Sequence, residues 1–120
     1  MVRPGTRLLV VDDQRSVREA LALMLRAQGF AVSLAASGAE ALDLCAREPA
    51  YDAVLVDAHM PGLGGLAVAR ALRERHPSTR VVLCTAADER VTRRAIESGQ
   101  VSGAVHKPFT VAELLRALGT

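Results

Sequence analysis

Four apolar runs in this chain each end in polar residues whose types suit phosphate chemistry. Leu8 to Val11 leads into Asp12 and Asp13, and Ala53 to Val56 leads into Asp57. Val81 to Cys84 stops at Thr85, and Ala104 to His106 stops at Lys107 and Pro108. Side by side as parallel strands, these runs present three carboxylates, a hydroxyl and an ammonium from one sheet edge. Open α/β sheets place their sites at that carboxyl edge.

Crowded carboxylates repel one another and tend to hold protons unless a cation intervenes. Mg²⁺ suits such a set: it takes oxygen ligands, keeps several waters, and is held by one or two carboxylates together with phosphate oxygens. Asp57 stands alone on its run, ahead of the Gly-rich segment Met60-Pro61-Gly62-Leu63-Gly64-Gly65, whose backbone is free to approach a ligand closely. It is therefore the candidate nucleophile. A carboxylate attacking phosphorus gives an aspartyl phosphate. Lys107 would pair with a phosphoryl oxygen as a point charge, and the Thr85 hydroxyl would hydrogen-bond to another. Stabilising charge on the transferring group is most of what phosphoryl transfer requires. A lone strand-end Asp usually serves a turn or a helix cap. Two adjacent acids with a third at another strand end exceed that need.

The elements that position these residues follow from periodicity. Val17, Ala20, Leu21, Met24 and Leu25 recur at helical spacing, and Gly29 stands where a C-terminal cap would end the helix. Phe30 to Leu34 reads as a second strand. Ser37 with Glu40 has capping-box spacing and opens a helix to about Arg47. Helices are also expected from about Leu66 to Arg75 and from about Asp88 to Ser98, with a turn at Gly99 to Ser102. Thr110 with Glu113 is a second capping-box pattern, opening a final helix to about Leu118. Five β-α pairs in alternation predict a parallel sheet covered by helices on both faces. The near-continuous apolar strands agree, since such strands are buried on both sides.

Composition narrows the function classes. At 120 residues the chain suits a single domain, residues 1–120, that buries about two-thirds of its unfolded surface. Only Phe30, Tyr51 and Phe109 are aromatic, which argues against base stacking, and a net charge of +2 implies no polyanionic partner. Direct nucleic-acid binding is therefore not expected. All the basic residues are Arg except Lys107. Ammonium and guanidinium are not interchangeable, so this single Lys at a strand end is a candidate in its own right. Cys45 and Cys84 lie far apart inside apolar patterns and read as reduced, buried small hydrophobes. No apolar run reaches membrane-spanning length and Met1 to Thr6 lacks a signal-peptide stretch, so a cytoplasmic location is expected.

With these motifs in order (Val11-Asp12-Asp13, Asp57 with Met60-Pro61-Gly62 and Gly65, Thr85-Ala86, Lys107-Pro108-Phe109), the sequence resembles the response-regulator receiver domains of two-component signalling. The resemblance runs from about Arg7 to Leu118. It implies a flavodoxin-like, doubly wound five-stranded parallel sheet in the order 2-1-3-4-5, with a cis Lys107-Pro108 bond. It implies that Asp57 accepts a phosphoryl group from a histidine kinase or phosphotransfer protein in a Mg²⁺-dependent relay, and that the domain signals to an output domain or partner without being an enzyme. Asp13, Asp57 and the backbone carbonyl of His59 would bind the Mg²⁺, with Asp12 acting mainly through a metal-bound water. Thr85 would reorient toward the phosphoryl group and Lys107 would pair with it.

The chain departs from the family pattern at Ala104, three residues before the lysine, where members often carry an aromatic whose rotation follows the threonine. Val101-Ser102-Gly103 also lack the acidic residues found in receivers that dimerise through this face. The side chain of His59 lies two residues beyond Asp57 and is read either as a modulator of phosphoryl loss or as an ordinary loop residue, not as a metal ligand. His76 reads as solvated, and His106 carries no clear signal. Arg90, Arg93 and Arg94 share one helix face, which is either a solvated surface or a docking surface. Rival readings are a receiver-like binding scaffold acting independently of phosphorylation, favoured by Ala104, and an aspartyl phosphatase or phosphotransferase, for which no separate general acid is apparent. Flavin binding is disfavoured because Asp12-Asp13-Gln14 replace phosphate-cradling residues. Either a stand-alone receiver or the front of a longer regulator is compatible with the sequence.

Overall fold

The computed structural model describes residues 5–60, 62, 64–86 and 89–119, with the side chains of Glu89 and Val91 left aside. Five strands alternate with five helices: β1 (Arg7–Val11), α1 (Arg15–Ala27), β2 (Ala31–Ala35), α2 (Gly38–Arg47), β3 (Ala53–Asp57), α3 (Gly65–Arg75), β4 (Arg80–Thr85), α4 (Glu89–Glu97), β5 (Gly103–His106) and α5 (Val111–Ala117). The sheet is parallel throughout, in the order β2-β1-β3-β4-β5.

Alternation along each strand divides the core. Leu9, Val11, Val54, Val56, Val81 and Leu83 face one layer with Ala41, Val68, Leu72 and Ala95 from α2, α3 and α4. Leu8, Val10, Ala53, Leu55, Val82 and Cys84 face the other, with Leu21 and Leu25 of α1 and Leu114 of α5. Side chains of successive strand residues point to opposite faces, so an apolar residue at every position serves two helix layers. The short helix α5 illustrates the relative magnitudes. Its Thr110 cap contributes about 1 kcal/mol, whereas complete burial of Leu114 contributes about 2 kcal/mol. Packing is the stronger anchor.

The expected boundaries shift slightly. β2 begins at Ala31, one residue later than the apolar pattern indicates, because Gly29 takes a positive φ and the Phe30 N–H bonds back to the Leu25 carbonyl. α3 begins at Gly65, not Leu66. Lys107 falls just past β5, although its N–H still donates to the Thr85 carbonyl at 2.8 Å. The Thr110–Glu113 capping box is complete. In α2, Ser37 Oγ accepts the Glu40 N–H, but the Glu40 carboxylate reaches the N–H of Ala36 instead of the cap residue. The start of the fourth helix expected at Asp88 lies outside the described residues; α4 ends at Glu97. The Lys107-Pro108 bond is cis.

Candidate functional site

The carboxyl ends of β1 and β3 are adjacent at the point where the strand order reverses, and the acids converge there. Val11 is paired with Val56, so Asp12 stands beside Asp57. Asp57 is level with Cys84, and the next N–H, that of Ala58, donates to the Cys84 carbonyl at 2.9 Å, which places Thr85 at the adjoining strand end. Thr85 is in turn paired with His106. Each polar residue is therefore placed by ladder hydrogen bonds that run up to it.

Ligand atoms of Asp12, Asp13 and Asp57 lie within 4.8 Å of one another. Asp12 is 2% exposed and Asp57 7%, while Asp13 is open to solvent. Lys107 Nζ lies 3.5 Å from Asp57 Oδ1 and 3.9 Å from Asp12 Oδ2. The Gln14 N–H donates to Asp12 Oδ1 at 2.9 Å, and the His59 N–H donates to Asp57 Oδ1 at 3.2 Å. Arg18, on the first turn of α1, donates to the Asp12 carbonyl at 2.8 Å and fixes the backbone of the acidic pair.

Burial pushes the Asp12 carboxyl above its ordinary pKa. The Gln14 N–H opposes that shift, the Asp57 charge adds to it, Lys107 opposes it and Asp13 adds again. One ammonium thus faces three acids, an imbalance that a divalent cation with oxygen preference would correct. The donor set, all carboxylate oxygen with one member open to solvent, fits Mg²⁺. Burial also pushes the Cys84 thiol up to about 12, so it stays a thiol, and both cysteines are buried and unlinked.

The residues given a metal- or phosphoryl-binding role in the sequence (Asp12, Asp13, Asp57, His59, Thr85 and Lys107) thus gather at one edge. Sequence reasoning missed one contributor. Arg18 acts through the Asp12 backbone, and nothing in the helical pattern marks it apart from the other arginines. The His59 side chain, read from the sequence as either a modulator of phosphoryl loss or an ordinary loop residue, has its Nε2 3.3 Å from Thr85 Oγ1. His76 is half-buried at the end of α3, where its N–H donates to the Leu72 carbonyl. His106 and Ala104 line a cavity of about 740 Å³ between α4 and α5, together with Thr92, Arg93, Ile96 and Arg116. Arg90, Arg93 and Arg94 are exposed on α4. No helix among the described residues is long and apolar enough to cross a membrane.

Comparisons with known proteins agree with this geometry. Residues 8–119 match the family model of the response regulator receiver domain. The response regulator MprA of Mycobacterium sp. (strain KMS) is 43% identical over 109 residues, covering 91% of this chain and 47% of the relative. MprA of Mycobacterium bovis (strain BCG / Pasteur 1173P2) is 41% identical over 111 residues, covering 92% and 48%. The chain thus spans about half the length of the curated relatives it matches. Among solved structures, chemotaxis protein CheY4 of Vibrio cholerae superposes with a TM-score of 0.85 at 27% identity, covering 95% of this chain and 96% of that one. The response regulator TrrA of Thermotoga maritima, solved with Mg²⁺-BeF, gives a TM-score of 0.82 at 34% identity, covering 92% and 94%. Strand order, acidic edge and likeness over nearly the whole length lead to one assignment: the chain belongs to the response regulator receiver domain family.

Proposed function

We propose that Asp57 is the phosphoacceptor of this receiver domain and takes its phosphoryl group from a phosphohistidine on a histidine kinase or phosphotransfer protein. The observation that carries this reading is the convergence of Asp12, Asp13 and Asp57, with the Lys107 ammonium 3.5 Å from the Asp57 carboxylate. An Asp57 oxygen forms the new bond to phosphorus as the bond from phosphorus to the donor's imidazole nitrogen breaks, and the imidazole leaves with that electron pair. Lys107 pairs with one phosphoryl oxygen and holds the acceptor carboxylate in place before transfer. Thr85, at the neighbouring strand end, donates its hydroxyl to another. Asp13, Asp57 and the His59 carbonyl would hold Mg²⁺, with Asp12 engaging it through water. The bound cation supplies positive charge that offsets the charge on the entering phosphoryl group.

On this reading residues 1–120 act as one cytoplasmic signalling domain, modified once per cycle instead of turning over a substrate. The recipient of the signal is an output domain or partner protein. The intact acceptor set favours this function over that of a scaffold indifferent to phosphorylation. Intact-mass measurement after incubation with a small phosphodonor and Mg²⁺ tests it. One acid-stable, base-labile phosphoryl adduct is expected, absent in Asp57→Asn; an adduct that survives this substitution would show that another residue is the nucleophile.

A further inference from the structure

The role of the His59 carbonyl leaves the His59 side chain unexplained. The backbone N–H of this residue is fixed on Asp57 Oδ1 at 3.2 Å, and its ring extends across to Thr85, with Nε2 3.3 Å from Oγ1. His59 therefore spans the acceptor and the hydroxyl of the adjoining strand. The hydroxyl is almost completely enclosed, Thr85 being 1% exposed, whereas His59 belongs to an exposed loop position. The ring thus reaches from an exposed position to a buried hydroxyl.

We propose that His59 is a positioning residue for Thr85. In the unphosphorylated domain, Nε2 accepts a hydrogen bond from the Thr85 hydroxyl, and a phosphoryl group on Asp57 must take that hydrogen bond away. The inference rests on the reading of Asp57 as acceptor. A threonine hydroxyl has a single proton to donate, so the ring and a phosphoryl oxygen compete for it. An equilibrium shifts only by the difference in interaction between its two states. The contact with His59 belongs to the resting state alone and weights the balance toward rest. A net neutral hydrogen bond corresponds to about a fivefold change in that balance. A ring that merely screened Asp57 from solvent would instead affect entry whether or not Thr85 has a hydroxyl.

Two measurements on the intact domain separate these cases. In nitrogen-15 spectra, His59 is expected as the Nδ1–H tautomer with Nε2 as acceptor. That preference should be lost in Thr85→Val, an isosteric change at a buried position. In titrations with beryllofluoride and Mg²⁺, His59→Ala should bind about fivefold more tightly than the unmodified protein. The same substitution should have no effect in a Thr85→Val background. A His59 Nε2–H tautomer insensitive to Thr85→Val would overturn the proposal, as would an equal effect of His59→Ala in both backgrounds. Failure of the acceptor reading looks different: no beryllofluoride response and no adduct at Asp57, with the ring tautomer still deciding whether His59 holds Thr85.

Discussion

Gly65 packs directly against the main-chain carbonyl of Asp57. A Cβ at this position would lie 2.6 Å from that oxygen, 2.9 Å from Ala58 Cα and 3.0 Å from Leu83 Cδ1. Two of those three atoms are backbone of β3 and its exit, so they have no rotamer through which to yield. The first residue of α3 thus fixes how closely the helix approaches Asp57, and only a residue without a side chain fits.

Gly65→Ala is accordingly expected to destabilise the domain by about 2 kcal/mol, an overpacking cost that exceeds the gain in helix propensity. It should also displace the Asp57 carbonyl, and with it the loop that carries His59. Urea denaturation measures the first effect, and Mg²⁺-induced amide shifts at Asp57 and His59 measure the second. Unchanged stability would mean that α3 moves away from the sheet at little cost.

Asp12 gives a prediction with a definite sign. Burial, followed by the neighbouring Asp57 charge among the effects that raise it, lifts its folded-state pKa above the unfolded value. The folded chain therefore binds the proton more tightly than the unfolded chain. Its contribution to stability is complete below the unfolded pKa and is lost as pH rises through the folded one. At neutral pH without metal, Asp12→Asn should therefore be more stable than the parent by about 1 kcal/mol, since a buried charge is replaced by an amide that keeps an acceptor for the Gln14 N–H. The difference should close on acidification. Millimolar Mg²⁺ should reverse it by stabilising the parent more than the variant. Urea melts in chelator and in Mg²⁺, across the acid range, measure all three.

Lys107 sits between two of the acids, 3.5 Å from Asp57 and 3.9 Å from Asp12. Lys107→Met should leave the fold intact, because the ammonium is partly solvated and the backbone N–H still pairs with the Thr85 carbonyl. Beryllofluoride affinity in Mg²⁺ should nonetheless fall by roughly tenfold or more, in line with the loss of a charge-assisted hydrogen bond. Lys107→Arg should not restore it, since a planar fork does not replace a compact point charge. Restoration by Arg would show that only net charge matters here.

Both the sheet and the acidic cluster were legible in the sequence because each depends on local rules. Apolar runs such as Val54 to Val56 mark strands buried on both faces, and a polar residue ending such a run must emerge at the sheet edge. The parallel register then brings Asp12, Asp57, Thr85 and Lys107 together without further instruction. The contact between His59 and Thr85 depends instead on the path of a loop, and 26 positions separate the two residues. No periodicity encodes such a path. The same holds for Gly65: its place in a Gly-rich segment suggested a backbone close to a ligand, whereas its neighbours are the backbone of Asp57 and Ala58 and the Leu83 side chain. The one-residue shift of β2 arises from a hydrogen bond back across Gly29, again a matter of three-dimensional geometry.

Ala104 lies on β5 opposite Leu83 and lines the cavity of about 740 Å³ beside Thr92, Ile96 and His106. Thr85 can still respond to a phosphoryl group, because its hydroxyl stands at the strand end next to Asp57. A signal passed from there to α4 requires some group whose contacts differ between the two states, and a methyl side chain offers almost none. Beryllofluoride with Mg²⁺ should therefore shift amide signals strongly in the segments after Asp57 and Thr85, and weakly along α4 and β5. Ala104→Tyr places a ring in the cavity, where it contacts α4 and follows any movement of Thr85, so the α4 response should grow. Large shifts along α4 in the unmodified protein, no smaller than in Ala104→Tyr, would show that the change reaches this face through the backbone alone.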